Sequence, residues 1–398
     1  MFADVYNEHY TRRKKMSKIM GMAMIILCLM ANVLNAETVS VALPEDVTVL
    51  ENSVELKVIL KKKLTIPIDS VTSSAVSSTG DRLYGMKLNN NTFVIMNEKG
   101  NIIFQEQCNQ GIVSKDGKKV FLWTGSNEIG QVCRLTQYDL RGNMQWELCS
   151  SLPIHLSGDE RFAAEFLTEG GDVHPRFSLR KIEENRIIWQ RDFSYNWEGY
   201  LTEKGNLITI NYEGEKDAIK IVLSSYGLKG ELLWQYALQE PSVIPSIILG
   251  RENFVVAVSA GGVVAPATNS VFVFNIEKGF LWQKSNLYIG VQGVHGLSSN
   301  DDYLAIFMPA VKELLLYEMK SGKEIYRVPL FRRLWGGKID VTSKGRVILG
   351  YAGGTIILSP EGKVLADFAD TQYKFFDGEN ILLQKDSILY VFRFEERN

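Results

Sequence analysis

A glycine-centred turn recurs along this chain at a spacing that leaves little choice of fold. The turns are anchored at Gly100, Gly142, Asn185, Gly230, Gly279, Gly322 and Gly362, separated by 42, 43, 45, 49, 43 and 40 residues. Asparagine at 185 replaces glycine with one of the few side chains that tolerate positive φ. Apolar runs flank each anchor, so each unit reads as a hairpin. An aromatic follows the anchor: Phe104, Trp146, Trp189, Trp234 and Tyr326 lie four residues on, Trp282 lies three on, and Ala366 holds the place in the last unit. A second series of turns precedes the hairpins, at Gly80-Asp81, Asp116-Gly117, Gly158-Asp159, Lys204 to Asn206, Glu252-Asn253, Asp301-Asp302, Lys344-Gly345 and Asp377-Gly378. These turns introduce apolar strands such as Leu207 to Ile210. Each unit is therefore strand A, turn, strand B, loop, strand C, glycine turn, strand D. Four strands in a period of about 40–50 residues make one blade of a β-propeller.

Two incomplete ends set the blade count. Val54 to Lys61 alternates apolar and polar side chains, as a strand with one buried face does, but has no partner nearby in sequence. The last unit, Ile381 to Gln384 and Ile388 to Phe392, stops at Asn398 without a fourth strand. An N-terminal strand completing the last blade would cover both edges, which predicts an eight-bladed all-β propeller. Seven blades is the alternative if the final strands are irregular. The domain expected is 54–398, with 37–53 as an extended linker.

Residues 1–36 read as a signal peptide. Arg12 to Lys15 and Lys18 form a basic start, Ile19 to Val33 an apolar run of 15 residues, and Ala36 a small residue before the cut. The run is short for a membrane span, which needs about 20 residues. Either Met1 or Met16 serves as the start. Cutting after Ala36 removes five of 44 Lys/Arg and two of 46 Asp/Glu, leaving a net charge of −5 and no basic stripe. Nucleic acid is excluded as a partner on that ground. A periplasmic or cell-surface location in a bacterial envelope is expected, with no membrane span after cleavage.

The units Tyr138 to Trp146, Tyr226 to Trp234 and Asn275 to Trp282 resemble the tryptophan-docking repeats of the PQQ-like β-propeller family. The resemblance covers roughly residues 70 to 396. It implies that each tryptophan packs between neighbouring blades, and it identifies a repeat rather than an activity. The family includes quinone-dependent alcohol dehydrogenases and the non-enzymatic propeller of the outer-membrane barrel assembly machinery. The adjacent cysteine pair of the dehydrogenases is missing here, and so is the lipid anchor usual in the assembly factor.

Constellations for catalysis are thin. His155, His174 and His295 are the histidines beyond residue 36, and no pair has metal-ligand spacing. No Gly-x-Ser-x-Gly elbow and no Gly-Lys-Ser/Thr phosphate loop is present. Carboxylate pairs such as Asp301-Asp302 fall in short turns and read as solvated. The sequence therefore favours a non-catalytic scaffold, without cofactor or metal, for a protein or an envelope glycan. The rival class is an enzyme, either a quinone-dependent oxidoreductase or a hydrolase or lyase at the propeller mouth.

The strand order puts the A–B and C–D turns at one end of the ring and the B–C and D–A loops at the other. The second set is longer and more varied, and Trp, Tyr and Arg are the residues that anchor interfaces. Candidate binding residues there are Trp197, Arg332, Arg333, Trp335, Tyr195, His174 and Tyr288, on a monomer; some of these aromatics could instead seal blades or plug the channel. Arg141 stands midway between Cys133 and Cys149. A symmetric turn would place the two thiols opposite one another for a disulfide, whereas a one-residue bulge would leave two unlinked residues.

Overall fold

A computed structural model describes residues 47–51, 54–125, 132–166, 176–193, 197–213, 220–238, 243–259, 269–287, 294–298, 300–308, 311–330 and 337–396. Within them the chain is all strand, in eight antiparallel sheets arranged as an eight-bladed propeller. No described helix is long and apolar enough to cross a membrane. Counting from the N-terminal side, blade 1 is Ile68–Val76, Arg82–Leu88, Thr92–Asn97 and Ile102–Gln107, as strands A to D. Blades 2 to 7 repeat that order, beginning at Gln110, Ile154, Trp197, Val243, Val294 and Gly337.

The strands of blade interiors are apolar on both faces because both faces are buried. In blade 4, Leu207 packs into the cluster shared with blade 3, while Ile208 and Ile210 pack into the cluster shared with blade 5. Eight such clusters occur, one between each pair of neighbours, so the core is divided around the ring.

The repeat explains its own glycines. Gly230, Gly279, Gly322 and Gly362 all have positive φ, and a Cβ on any of them would crowd an aromatic of the preceding blade. The nearest ring atoms would lie 2.9 Å away for Trp189 at Gly230, 3.3 Å for Trp234 at Gly279 and 2.8 Å for Trp282 at Gly322. Glycine thus serves the turn and seats the ring at once. The Trp234 and Trp282 indoles also donate to the carbonyls of Ile276 and Met319, at 2.9 and 2.6 Å. These carbonyls occupy equivalent positions in successive turns.

Closure follows the expectation and extends it. Blade 8 takes Gln372–Phe376, Asn380–Lys385 and Ile388–Glu396 from the C-terminal end, then Val54–Lys63 as its outer strand. Leu56 is fully buried in the interface with blade 7, and Ile59 and Leu60 pack toward blade 1. Leu60 and Lys62 lie against Gly100, filling the seat that an aromatic fills elsewhere. Arg82 joins the seam on the other side, pairing with Asp377 at 2.8 Å and Glu379 at 2.6 Å.

Two expectations need correction. The stretch read as a linker contains a strand, Val47–Glu51, which pairs with Val54–Lys57 and makes blade 8 five-stranded. Cys133 and Cys149 do not oppose each other: a bulge between Met144 and Trp146 shifts the register, so Cys149 faces Arg134 and Cys133 faces Ser150. Successive side chains point to opposite faces, which leaves Cys133 buried, Cys149 exposed and both free. The same bulge recurs just before the aromatic in the D strands of blades 1 to 6, and before Ala366 in blade 7.

Candidate functional site at the central channel

Each inner strand A is the terminal strand of its sheet, so its backbone N–H and C=O groups on that edge have no strand partner among the described residues. Side chains of neighbouring strands serve some of them, as Thr72 does the Gly111 carbonyl, Ser73 the Val113 N–H and Trp123 the Ile154 carbonyl, and the remainder make the channel wall polar. A cavity of about 990 Å³ runs along this wall, touched by the inner strands of all eight blades. It is not symmetric. Strands A of blades 6 and 7 converge in a parallel bridge at Ser298 and Val341, where a Cβ on Gly296 would meet the Ile339 carbonyl at 2.4 Å. Across the ring, the cavity extends between blades 2 and 3 as far as Trp123, Thr124 and Cys133.

His155 sits in that arm, on strand A of blade 3 rather than in a loop. Its ring stacks on Phe166 with centroids 4.2 Å apart, and its Nε2 is buried without a hydrogen-bond partner. Burial pulls its pKa down from 6.5 to about 4, against a smaller opposing effect of a hydrogen bond to the Phe166 backbone. The imidazole is therefore neutral near pH 7. Between pH 6.5 and 4 the unfolded chain takes up a proton that the folded chain refuses, so stability falls with pH there by about 3 kcal/mol. Glu160, which burial pushes up to about 6, acts in the opposite sense: its contribution is present at low pH and lost as pH rises through 6. The His155 share is isolated by difference. Denaturation of His155→Gln should show a flatter fall between pH 7 and 4 than the unsubstituted chain; equal slopes would refute the assignment.

Polar groups at both ends of the channel tie neighbouring blades together. At the A–B end Asp301, nearly fully buried, accepts from the backbone N–H groups of Arg251, Glu252 and Asn253 in the preceding blade, at 3.0, 2.6 and 2.9 Å. It is not the solvated turn residue expected from its Asp-Asp context. Glu160 likewise accepts from the Lys115 N–H at 2.7 Å, and Asp377 is taken by Arg82. A buried Ser or Thr opens most of these turns and accepts from the strand that follows, as Thr202 does from Asn206 and Thr342 from Arg346, each at 2.9 Å. The sequence carried this signal as Ser/Thr three residues before the turn glycine.

At the D–A end the ties join blades 7, 8 and 1: Lys338 Nζ donates to the Lys374 carbonyl at 3.2 Å, and Lys374 Nζ to that of Ile68 at 2.7 Å. Lys338 lies near the start of strand A of blade 7 and Asp340 near its end, while Tyr373 and Lys374 lie in strand A of blade 8. The Tyr373 hydroxyl donates to Asp340 Oδ2 at 2.5 Å, and Lys338 Nζ lies 3.7 Å from the same oxygen. Burial pushes the Asp340 carboxyl up, while Lys338 and Tyr373 hold it down. Lys338 Nζ also lies over the rings of Tyr373 and Phe375, 5.5 and 5.0 Å from their centroids, with its side chain about half exposed. In blade 4, Glu198 accepts from the hydroxyls of Tyr200 and Tyr212 at 2.8 and 2.6 Å. These groups can bind a polar ligand by charge and ring contact. No three or more His, Cys, Asp or Glu side chains among the described residues are placed to hold a metal ion.

Of the binding residues expected from sequence, Trp197 is described, and it belongs to the core. It has no accessible surface and packs between Phe166 and Phe193, at centroid distances of 5.9 and 4.4 Å. As the first residue of an inner strand it seals blade 4 against blade 3. Tyr195, His174, Tyr288, Arg332, Arg333 and Trp335 lie outside the described residues.

No protein-family model matches the sequence, and no curated protein matches it. Solved structures do resemble the fold. BamB from Moraxella catarrhalis is 11% identical, with 85% of this chain and 99% of that one covered and a TM-score of 0.52. The Dos1 propeller is 9% identical over 85% and 95%, with a TM-score of 0.55. A eukaryotic initiation factor is 12% identical over 85% and 90%, with a TM-score of 0.54. The chain is a β-propeller. At these identities the likeness concerns the fold alone.

Proposed function

We propose that the protein is an exported, non-catalytic propeller that binds a protein or an envelope glycan through the B–C/D–A end of its ring. One observation carries this reading: strand A of blade 7 begins at the D–A end with Lys338, half-exposed and set over the rings of Tyr373 and Phe375. Lys338 follows in sequence on Phe331 to Gly336, which contains Arg332, Arg333 and Trp335. Cations beside aromatics suit a carboxylate- or hydroxyl-rich ligand, and variable loops on a rigid scaffold are where recognition usually resides. Export rests on the basic and apolar segment at residues 12–33.

Arg332→Ala, Arg333→Ala, Trp335→Ala and Lys338→Ala, combined in one variant, should lower capture of a ligand from bacterial envelope extract at least tenfold. The melting temperature should stay within a few degrees, since surface changes usually cost under about 0.5 kcal/mol each. Arg141→Ala with Lys99→Ala, in the C–D turns at the other end, is the matched control. Loss of capture in the control but not in the first variant would refute the reading.

A further inference from the structure

The outer strand of each blade is a sheet edge, and an exposed edge offers its unpaired backbone groups to any other strand. Natural edges are guarded by charges, by proline, or by a covering segment. Blades 1, 2, 3, 5 and 6 carry Glu106, Glu147, Arg191, Lys284 and Arg327 in their outer strands. In blade 7 the charge is Asp367, which is buried and accepts from the Tyr351 hydroxyl. The outer strand of blade 8 is paired by Val47–Glu51. Blade 4 carries no charge at all on this edge. Its outer strand, Leu232–Leu238, reads Leu-Leu-Trp-Gln-Tyr-Ala-Leu, without charge or proline, and nothing among the described residues pairs its outer side.

We propose that this edge pairs with the same edge of a second copy of the chain, antiparallel about Gln235. The sequence is self-complementary in that register. Trp234 falls opposite Tyr236, and the bulge before Trp234 sets Leu232 and Leu233 together against Ala237, so aromatic meets aromatic and apolar meets apolar across the seam. The arrangement is two-fold and closes on itself, giving a dimer and not a fibre. An apolar ledge lies beside it for the second copy to cover. Leu232 is 52% exposed, and Phe280, 42% exposed, stacks on Tyr236 with centroids 5.2 Å apart. This departs from the monomer expected from sequence. It is independent of the ligand-binding end.

The fold tolerates a charge at the position of Gln235, because the residue just after the docking aromatic is Glu147 in blade 2 and Arg327 in blade 6. Gln235→Lys and Gln235→Glu should therefore fold while setting like charges against each other on the dimer axis. Sedimentation equilibrium of the full chain should show a monomer–dimer equilibrium, weakened about tenfold or more in either variant. Mixing the two variants should restore association, since opposite charges then face each other. Gln283→Lys, at the same position in blade 5, should leave the dimer unchanged. A wild-type chain that stays monomeric throughout, including one that instead binds a synthetic extended peptide, overturns the proposal. So does a dimer that Gln235→Lys leaves intact, or one that Gln283→Lys weakens equally.

Discussion

A chain begun at Leu64 should fail to fold into a soluble monomer, whereas one begun at Val47 should melt like the full chain. The longer deletion strips the outer strand from blade 8, exposing Ile388–Glu396 as a bare edge. It also removes Leu56 from the blade 7–8 interface and Ile59 and Leu60 from the blade 8–1 interface. Each buried aliphatic contributes about 1.5–3 kcal/mol, so the combined loss approaches the 5–15 kcal/mol that typically holds a domain together. The seat at Gly100 is emptied as well. A chain begun at Val54 should be intermediate, folded but less soluble, because it lacks the covering strand Val47–Glu51. Light scattering and thermal melting distinguish the three. A monomeric Leu64 chain that melts cooperatively at the full chain's temperature would contradict closure through that strand.

Trp234→Ala should cost about 3 kcal/mol, the lower end of the range for removing a core aromatic, because the ring is partly rather than fully buried. The indole stacks on Phe254 and Phe274, at centroid distances of 5.8 and 5.4 Å, rests on Gly279, and donates to the Ile276 carbonyl. Its loss opens a cavity between blades 4 and 5 and leaves that carbonyl with the Ser225 hydroxyl as its remaining side-chain donor. Gly279→Val should also destabilise, for two reasons: a β-branched residue would have to adopt φ near +87°, and its Cβ would press on the same ring. Met144→Ala, on an exposed residue of an outer strand, should change stability by under about 0.5 kcal/mol. Urea denaturation at constant pH measures all three. A cost below 1 kcal/mol for Trp234→Ala would mean that the ring contributes little beyond exposed surface.

The blade repeat was legible because one residue type does two jobs. Gly230, Gly279, Gly322 and Gly362 are each required by the turn and again by the aromatic of the preceding blade, so the pattern stays visible where the rest of the sequence varies. The N-terminal strand was legible through its own alternation and the missing fourth strand at the C-terminal end. Val47–Glu51 was not, since a short strand bridging only one neighbour needs no strong apolar pattern. The bulge that separates Cys133 from Cys149 left no mark in either residue, because it follows from how Trp146 is turned toward its neighbour. Aromatic identity misled at Trp197, where the first position of an inner strand is core. Asp301 misled in the other direction: its three partners belong to the previous blade, some 50 residues away, and no local pattern announces them. Loop length and composition in the sequence are what motivate the proposed end of the ring; His155 and the Lys338–Asp340–Tyr373 group depend on which inner strands converge.

Hydrogen exchange of the protein with and without its captured envelope ligand tests most directly which end of the ring binds. Binding at the B–C/D–A end should slow exchange across residues 331–341, with lesser slowing at 194–201, and leave the C–D turns at 97–102, 139–144 and 227–232 unchanged. Slowing confined to those turns, with 331–341 exchanging as in the free protein, would contradict it.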